Sequence, residues 1–499
     1  MQTISQIRES ATSWFSGSGL RTNVFRGGLW LGAGAFTEQL VRFGRNMLLA
    51  RLLAPADFGL MAIVSSATTV IHTMMDIGVR EALIQNRRGG DKEYVDAAWW
   101  MAFGRGIGFW LVLSLVSPLL SKFYQHADLG ALFRICALGL VFDGALSMKA
   151  VVAVKEMRFS RYAVMNHGGA ICGVAITVLL SFMLQDVWAL VIGSVAESAI
   201  RCLLSFILFP YLPPLRWSTS AARVLLKFSR GILGLSLLNL IFARTDIFVL
   251  GKMLTASKLG LYSMAIYLVQ TPVNFVMNIF GQTILPTFSR IHEDKPRLNQ
   301  AFLKVSSLIF LAGFPAVIVA LFCGRSLLGV AYGPLYASGG SVLALTAVVS
   351  VINLANAQIT SVFYACGLPQ LHRTCVLLMA VTMMALVFPL VRMFGLSGGQ
   401  LACLAAILVG FAFQLIRLRQ VTGLDLSDYA QRFATAAGVS VITAAICAGS
   451  LMLSFSTKPS FNLAVGFIAC FAAYTVVAYG FIRGKQNSVA PSFPTTTEL

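Results

Sequence analysis

Charge is what this chain has least of. Asp, Glu, Lys and Arg make up 11% of its 499 residues, under half of the roughly one-quarter usual in soluble domains. With 57% hydrophobic residues and a mean hydropathy of +0.79, that scarcity excludes a soluble globular fold. The nine cysteines never fall in the close pairs of a zinc or redox site and read as small residues facing lipid or core. No Walker A loop, G-x-S-x-G elbow, H-E-x-x-H or dinucleotide fingerprint is present, so neither an enzyme nor a cofactor is expected, and ATP has no site. Basic runs interleaved with aromatics are missing too, which argues against nucleic acid despite a net charge of +19. The first 26 residues lack an apolar h-region, so no cleavable signal peptide is expected.

Apolar runs of membrane length fill what remains. The alternation of barrel strands is absent, so the fold expected is an all-α polytopic membrane protein of about fourteen transmembrane helices. The spans lie near 27–50, 58–79, 97–120, 131–153, 162–184 and 187–209, then 229–252, 259–285, 301–323, 339–364, 374–391 and 396–416, with a last pair near 433–456 and 461–482. Lys and Arg crowd alternate loops more than threefold, which makes the chain multi-pass with both termini cytoplasmic.

Residues 51–62, RLLAPADFGLMA, echo residues 252–263, KMLTASKLGLYS, six spans later. An even offset makes the halves parallel repeats related by an axis along the membrane normal. The expected organisation is a cytoplasmic segment 1–26, a first six-helix lobe 27–209, a cytoplasmic connector 210–228 and a second lobe 229–416. Two appended helices over 433–482 and a cytoplasmic tail 483–499 follow.

Against this apolar background, charges at membrane depth stand out, because each costs on the order of 3 kcal/mol even on the mildest scale. Glu38, Arg42 and Arg45 share one helix face at i, i+4 and i+7. Arg105 sits between Gly104 and Gly106, and Glu197 and Arg201 are an i, i+4 pair. Arg244, two residues before Asp246, is the one mid-span arginine of the second half. Arg42, Arg45, Arg105 and Arg244 are the candidates to bind an anionic cargo, since a guanidinium grips phosphate oxygens bidentately and keeps its charge. Glu38, Asp76, Asp143, Glu197 and Arg201 are candidates for ion coupling or structural pairing; Arg134 reads as snorkelling. The histidines have no metal-ligand spacing, and no metal site or other role is assigned to them.

The stretch ARLLAPADFGLMA is similar to the "LLGPxDFG" signature of bacterial polysaccharide flippases of the Wzx type, as is the run Asn239…Asp246…Gly251…Gly260-Leu-Tyr262. LPTFSRIHEDKPRLNQ, from Leu285 to Gln300, resembles that family's Pro-x-x-Ser turn and charged loop after the eighth helix, and Phe363 to Gly367 fits the end of the tenth. The resemblance covers most of residues 27–420 and is nearest to exopolysaccharide exporters of the colanic acid or xanthan kind, within the superfamily that also holds multidrug antiporters. It implies two six-helix lobes opening alternately inward and outward in the bacterial inner membrane. The implied cargo is an undecaprenyl-diphosphate-linked oligosaccharide, moved from the cytoplasmic to the periplasmic leaflet. H⁺ or Na⁺ coupling, contact with membrane lipid and association with a polysaccharide polymerase and export machinery are implied with it.

Two rivals follow from the same residues. A multidrug or small-cation antiporter on this fold conflicts with an arginine-lined cavity by sign. A membrane-embedded polymerase or glycosyltransferase lacks the acidic motifs and larger aqueous loops that sugar chemistry needs. The topology is directly testable: alkaline phosphatase fused after Lys122, Arg325 or Lys458 should be active, and after Arg88, Arg158 or Arg223 inactive. Activity at the latter three sites would refute the fourteen-span arrangement.

Overall fold

The computed structural model describes residues 20–75, 78–214, 218–229 and 233–453. They are helical throughout, with short connections and no strand among the described residues. The helices are α1 Leu20–Leu52, α2 Pro55–Met75, α3 Val79–Gln85, α4 Lys92–Tyr124, α5 Leu129–Cys136, α6 Leu138–Gly144, α7 Lys149–Lys155, α8 Phe159–Leu184 and α9 Val187–Leu208. After these come α10 Thr219–Ser229, α11 Leu233–Met253, α12 Ala256–Ile291, α13 Lys295–Tyr332, α14 Gly340–Ala365, α15 Pro369–Phe394, α16 Leu396–Thr422 and α17 Leu426–Leu453. Helices run through thirteen of the expected spans, and the span expected at 461–482 lies outside the described residues. Among the described residues nine helical segments are long and apolar enough to cross a membrane, or ten if the bent stretch from Leu129 to Lys155 is one span. Their outward side chains are apolar, with Leu115 77% and Met183 73% exposed, a surface that suits lipid and not water.

The fourth expected span, 131–153, is not one helix. It is divided into α5, α6 and α7, and the last piece turns away by 56°. Side chains take over the hydrogen bonds that a continuous helix would have made there. The Trp99 indole donates to the Ala145 carbonyl at 3.0 Å, Ser147 N–H donates to Ser205 Oγ at 2.9 Å, and Ser147 Oγ donates to the Phe209 carbonyl at 2.8 Å. Every polar backbone group freed by a break at this depth needs such a partner. Two short helices, α3 and α10, were not expected as elements; α10 falls in the proposed connector and packs on α3 and α4 through Ala221, Ala222 and Leu225. The Pro286-x-x-Ser289 stretch is no turn either, because α12 stays helical to Ile291 and the chain turns at His292–Asp294.

By internal contacts the chain forms two units, residues 1–263 and 264–499. In the second unit, α13, α14, α16 and α17 pack together around Phe302, Phe310, Phe363 and Tyr429, joined by Phe288 from the end of α12. A buried polar pair crosses that core, where Ser306 Oγ donates to Gln358 Oε1 at 3.0 Å. In the first unit α8 packs against α1 and α9, α6 packs against α4 and α9, and α11 packs against α2.

The internal echo is a structural repeat. Each copy has a two-residue break before its helix, and Leu53 and Leu254 each donate to the carbonyl four residues back at 2.8 Å. The two copies also meet, within the first unit. A Cβ on Gly59 would lie 1.9 Å from the Ala256 carbonyl oxygen, and one on Gly260 would lie 1.7 Å from the Pro55 carbonyl oxygen. The contact is reciprocal, and it requires glycine on both sides because the obstacle is backbone. Gly59→Ala and Gly260→Ala should each lower the thermal unfolding temperature or the amount of inserted protein. Gly108→Ala, in open space on α4, should be tolerated. Equal tolerance of all three, read by fluorescence-detected chromatography after heating, would refute the close crossing.

Candidate functional site

Five helices of the first unit bring seven ionisable side chains into one connected set. On α1, Glu38 accepts from Arg42 Nε at 2.8 Å across one helical turn. Arg42 Nη2 donates on to Glu197 Oε1 of α9 at 2.5 Å, and Arg201 Nη2, one turn along α9, shares that same oxygen at 2.7 Å. Arg201 Nη1 lies 3.7 Å from Asp143 Oδ1 at the end of α6, and His72 Nε2 of α2 lies 4.0 Å from Asp143 Oδ2. At the other end the His167 Nδ1 atom of α8 is 2.7 Å from Glu38 Oε2. Glu197 is buried, and the side chains of Glu38, Arg42, Asp143, His167 and Arg201 are all at least three-quarters buried.

Small residues place these groups. Gly173 on α8 leaves room for Glu197, since a Cβ there would sit 2.5 Å from that side chain. Gly34, one turn before Glu38, does the same for the His167 ring, 2.3 Å from its own missing Cβ. Three carboxylates face two guanidiniums, so with neutral imidazoles the bonded set carries a formal charge of −1. Fixed pairing of this kind is how charge is tolerated at depth.

The remaining expected residues are less closely joined. Arg45 Nε donates to Asn46 Oδ1 at 3.1 Å, and Arg105 Nε donates to the Met101 carbonyl at 3.1 Å. Arg105, His72, Arg80 and Asp143 line a small cavity of about 40 Å³. A neighbouring cavity of about 120 Å³ is lined by His72, Arg80, Asp143, Asn166 and Arg201. Both are large enough for water, and buried Asp143 Oδ1 and Arg201 Nε have no hydrogen-bond partner among the described residues. Arg244 on α11 makes no salt bridge among the described residues, while Asp246 is buried and accepts from Tyr262 OH at 2.6 Å. Asp76 lies outside the described residues.

Asp143 is next to the last residue of α6, where the helix breaks. Arg134 is exposed on α5, and its Nε donates to Ser117 Oγ on α4 at 3.0 Å. His167 and His72, given no role from the sequence, are the ends of the network. Their signal was present: an imidazole inside an otherwise apolar span is as conspicuous as a charge.

Because Arg42 and Arg201 share Glu197 Oε1, their contributions should not add. Arg42→Ala or Arg201→Ala alone leaves Glu197 one cation and should cost about 1.5–3 kcal/mol. The double variant leaves it none, and the loss should exceed the sum of the single losses by roughly 0.5–3 kcal/mol. Thermal or denaturant unfolding in detergent measures the cycle, and additivity would refute the shared oxygen.

Comparison with known proteins agrees with the architecture. The chain is 24% identical over 321 residues to the lipopolysaccharide biosynthesis protein WzxC of Escherichia coli (strain K12), covering 64% of this chain and 65% of that protein. It is 23% identical over 263 residues to the succinoglycan biosynthesis transport protein ExoT of Rhizobium meliloti (strain 1021), covering 53% of each. The aligned stretches thus span under two-thirds of the length of either relative. Among solved structures, the lipid II flippase MurJ in an inward closed conformation superposes with a TM-score of 0.76 at 12% identity, over 91% of this chain and 99% of that one. That likeness is one of fold. The sequence profile of the polysaccharide biosynthesis protein family matches residues 48–338, more than half of the chain, and the chain belongs to that family.

Proposed function

We propose that this protein is a flippase that moves undecaprenyl-diphosphate-linked oligosaccharide repeats from the cytoplasmic to the periplasmic leaflet of the bacterial inner membrane, for exopolysaccharide synthesis. It works as a transporter and not as an enzyme, by alternating access of six-helix lobes over 27–209 and 229–416. Family membership and the transport role carried in the name of the Rhizobium relative support the reading.

The observation that carries it is the pairing of Arg42 between Glu38 and Glu197. A lipid diphosphate must shed hydration to cross a low-dielectric slab, and a guanidinium already dehydrated and oriented can replace that hydration. The diphosphate displaces a carboxylate from Arg42, so one anion exchanges for another. Arg45, Arg105 and Arg244 add contacts to the head group, while the isoprenoid tail stays in lipid. Glu38, Asp76 and Asp143 are the carboxylates through which H⁺ or Na⁺ is coupled, and a polysaccharide polymerase takes up the product outside.

The formal −1 charge of the bonded set favours one alternative, a small-cation antiporter on the same fold. Liposomes containing the purified protein separate the two. A fluorescently labelled lipid-linked oligosaccharide should reach the opposite leaflet without being polymerised, and a lipophilic cation should not be exchanged for protons. Arg42→Ala, Arg45→Ala and Arg244→Ala should each slow translocation by about 10- to 150-fold, the worth of one charge-assisted contact. The lysine replacements should recover part of it, because lysine keeps the charge and loses the fork. Wild-type rates in all three alanine variants would refute the cargo site, and no translocation by the unaltered protein would refute the function.

A further inference from the structure

Each end of the arginine–carboxylate network is an imidazole set against a carboxylate. His167 touches Glu38, the first partner of Arg42, and His72 faces Asp143, a partner of Arg201. We propose that His167 and His72 are the proton-binding groups of the head-group site, and that their protonation strengthens binding of the anionic diphosphate. The inference rests on the reading of Arg42 as a head-group ligand. It concerns the pH dependence of head-group binding, which it places on two histidines, and leaves the ion coupling of transport with the carboxylates.

Charge counting shows why. Glu38, Glu197 and Asp143 supply three negative charges, and Arg42 and Arg201 supply two positive ones. With both imidazoles neutral the set is −1; with one protonated it is 0, and with both it is +1. Arginine keeps its charge over the working range, whereas an imidazole can take up a proton. The other groups around the two imidazoles add fixed charge and leave the two-proton change itself intact. Around His167 they are Glu38 and Arg42 on α1 and, on α9, Glu197 and Arg201, which pack on the same stretch of α8. Around His72 they are Arg80 on α3, Arg105 on α4, Asp143 on α6, and Tyr162 on α8 with Arg201 on α9. None of the arginines changes charge with pH, so two proton uptakes add two positive charges whatever the starting count.

The two sites differ in how a proton reaches them. The His72 side chain is 47% exposed and lines both small cavities, each large enough to hold water. The His167 side chain is 16% exposed and is bonded to Glu38. A proton on His167 gives Glu38 a second cationic partner, and Glu38 can then yield its hold on Arg42 to the incoming diphosphate without being left unpaired. The proton comes from bulk water and stays on the imidazole, and no covalent bond to the cargo forms or breaks. Linkage makes the effect mutual: a bound diphosphate raises the proton affinity of both histidines by the factor with which protons raise its own binding.

Undecaprenyl diphosphate without sugar is the probe, with the whole protein in lipid nanodiscs and affinity measured from pH 8.5 to 5.5. The diphosphate titrates in the same range, so the readout is the pH profile of the unaltered protein divided by that of His72→Gln/His167→Gln. That ratio should rise as pH falls, by roughly 10-fold for each histidine. Each single variant should retain about half of the logarithmic rise. His72→Gln, at the more exposed position, carries the test alone if changes at His167 prevent accumulation. His167→Lys should keep the half of the rise that His72 supplies and should reach the acid limit of the unaltered protein at low pH. Parallel profiles in all variants, with binding intact, would overturn the histidine proposal and leave the flippase reading standing. No binding of the probe at any pH would overturn the head-group site itself, and this proposal with it.

Discussion

One oxygen atom holds the first unit's polar interior together. Glu197 Oε1 takes a guanidinium from its own helix and another from α1, and from those two arginines the contacts extend to α6, α8 and α2. The constraint behind it is that a charge far from water must be matched by another within bonding distance. Contact with lipid alone would leave a helix free to slide. The ion pairs remove that freedom, because a displacement of a few ångströms would leave a buried charge alone. Interior charge therefore fixes register here, where packing against lipid supplies little specificity.

The same pairing changes what an arginine in a membrane span means. Read one by one, Arg42, Arg45, Arg105, Arg201 and Arg244 describe a cationic interior. The bonded set as a whole is close to neutral, three carboxylates against two guanidiniums. A nearly neutral network is cheaper to keep folded than a cationic one, and it presents arginine to a ligand only through exchange of partners. That makes the binding energy of an anion depend on what the carboxylates do when they are displaced.

Much of the fold was legible because the dominant signal, uninterrupted apolar length, is local. Helix boundaries were missed where tertiary contacts decide them. In 131–153 the pair Asp143-Gly144 is a local sign of a break, but the groups that satisfy the freed backbone, Trp99 and Ser205, belong to other segments. Pro286 misled in the opposite direction, because a proline within a long span bends a helix more readily than it ends one when neighbours enclose it. In the site, the pairs Glu38–Arg42 and Glu197–Arg201 were visible from i, i+4 spacing alone. Their union through a shared oxygen, 155 residues apart in sequence, was not. The histidines escaped notice because they were tested only as metal ligands, and their partners lie 71 and 129 residues away.

The crossing at Gly59 and Gly260 has the form of an isologous interface, in which residue i of one copy touches j of the other and j touches i. Such a contact is self-complementary before any second sequence exists. A chain carrying a single repeat could make it with another copy of itself, and one glycine would then serve both sides. Joined in one polypeptide, the two copies no longer need to be alike, and around the retained glycines they differ: Pro-Ala-Asp-Phe in one and Ala-Ser-Lys-Leu in the other. Fusion of a symmetric pair thus leaves the shared glycine fixed and frees its surroundings to become specialised.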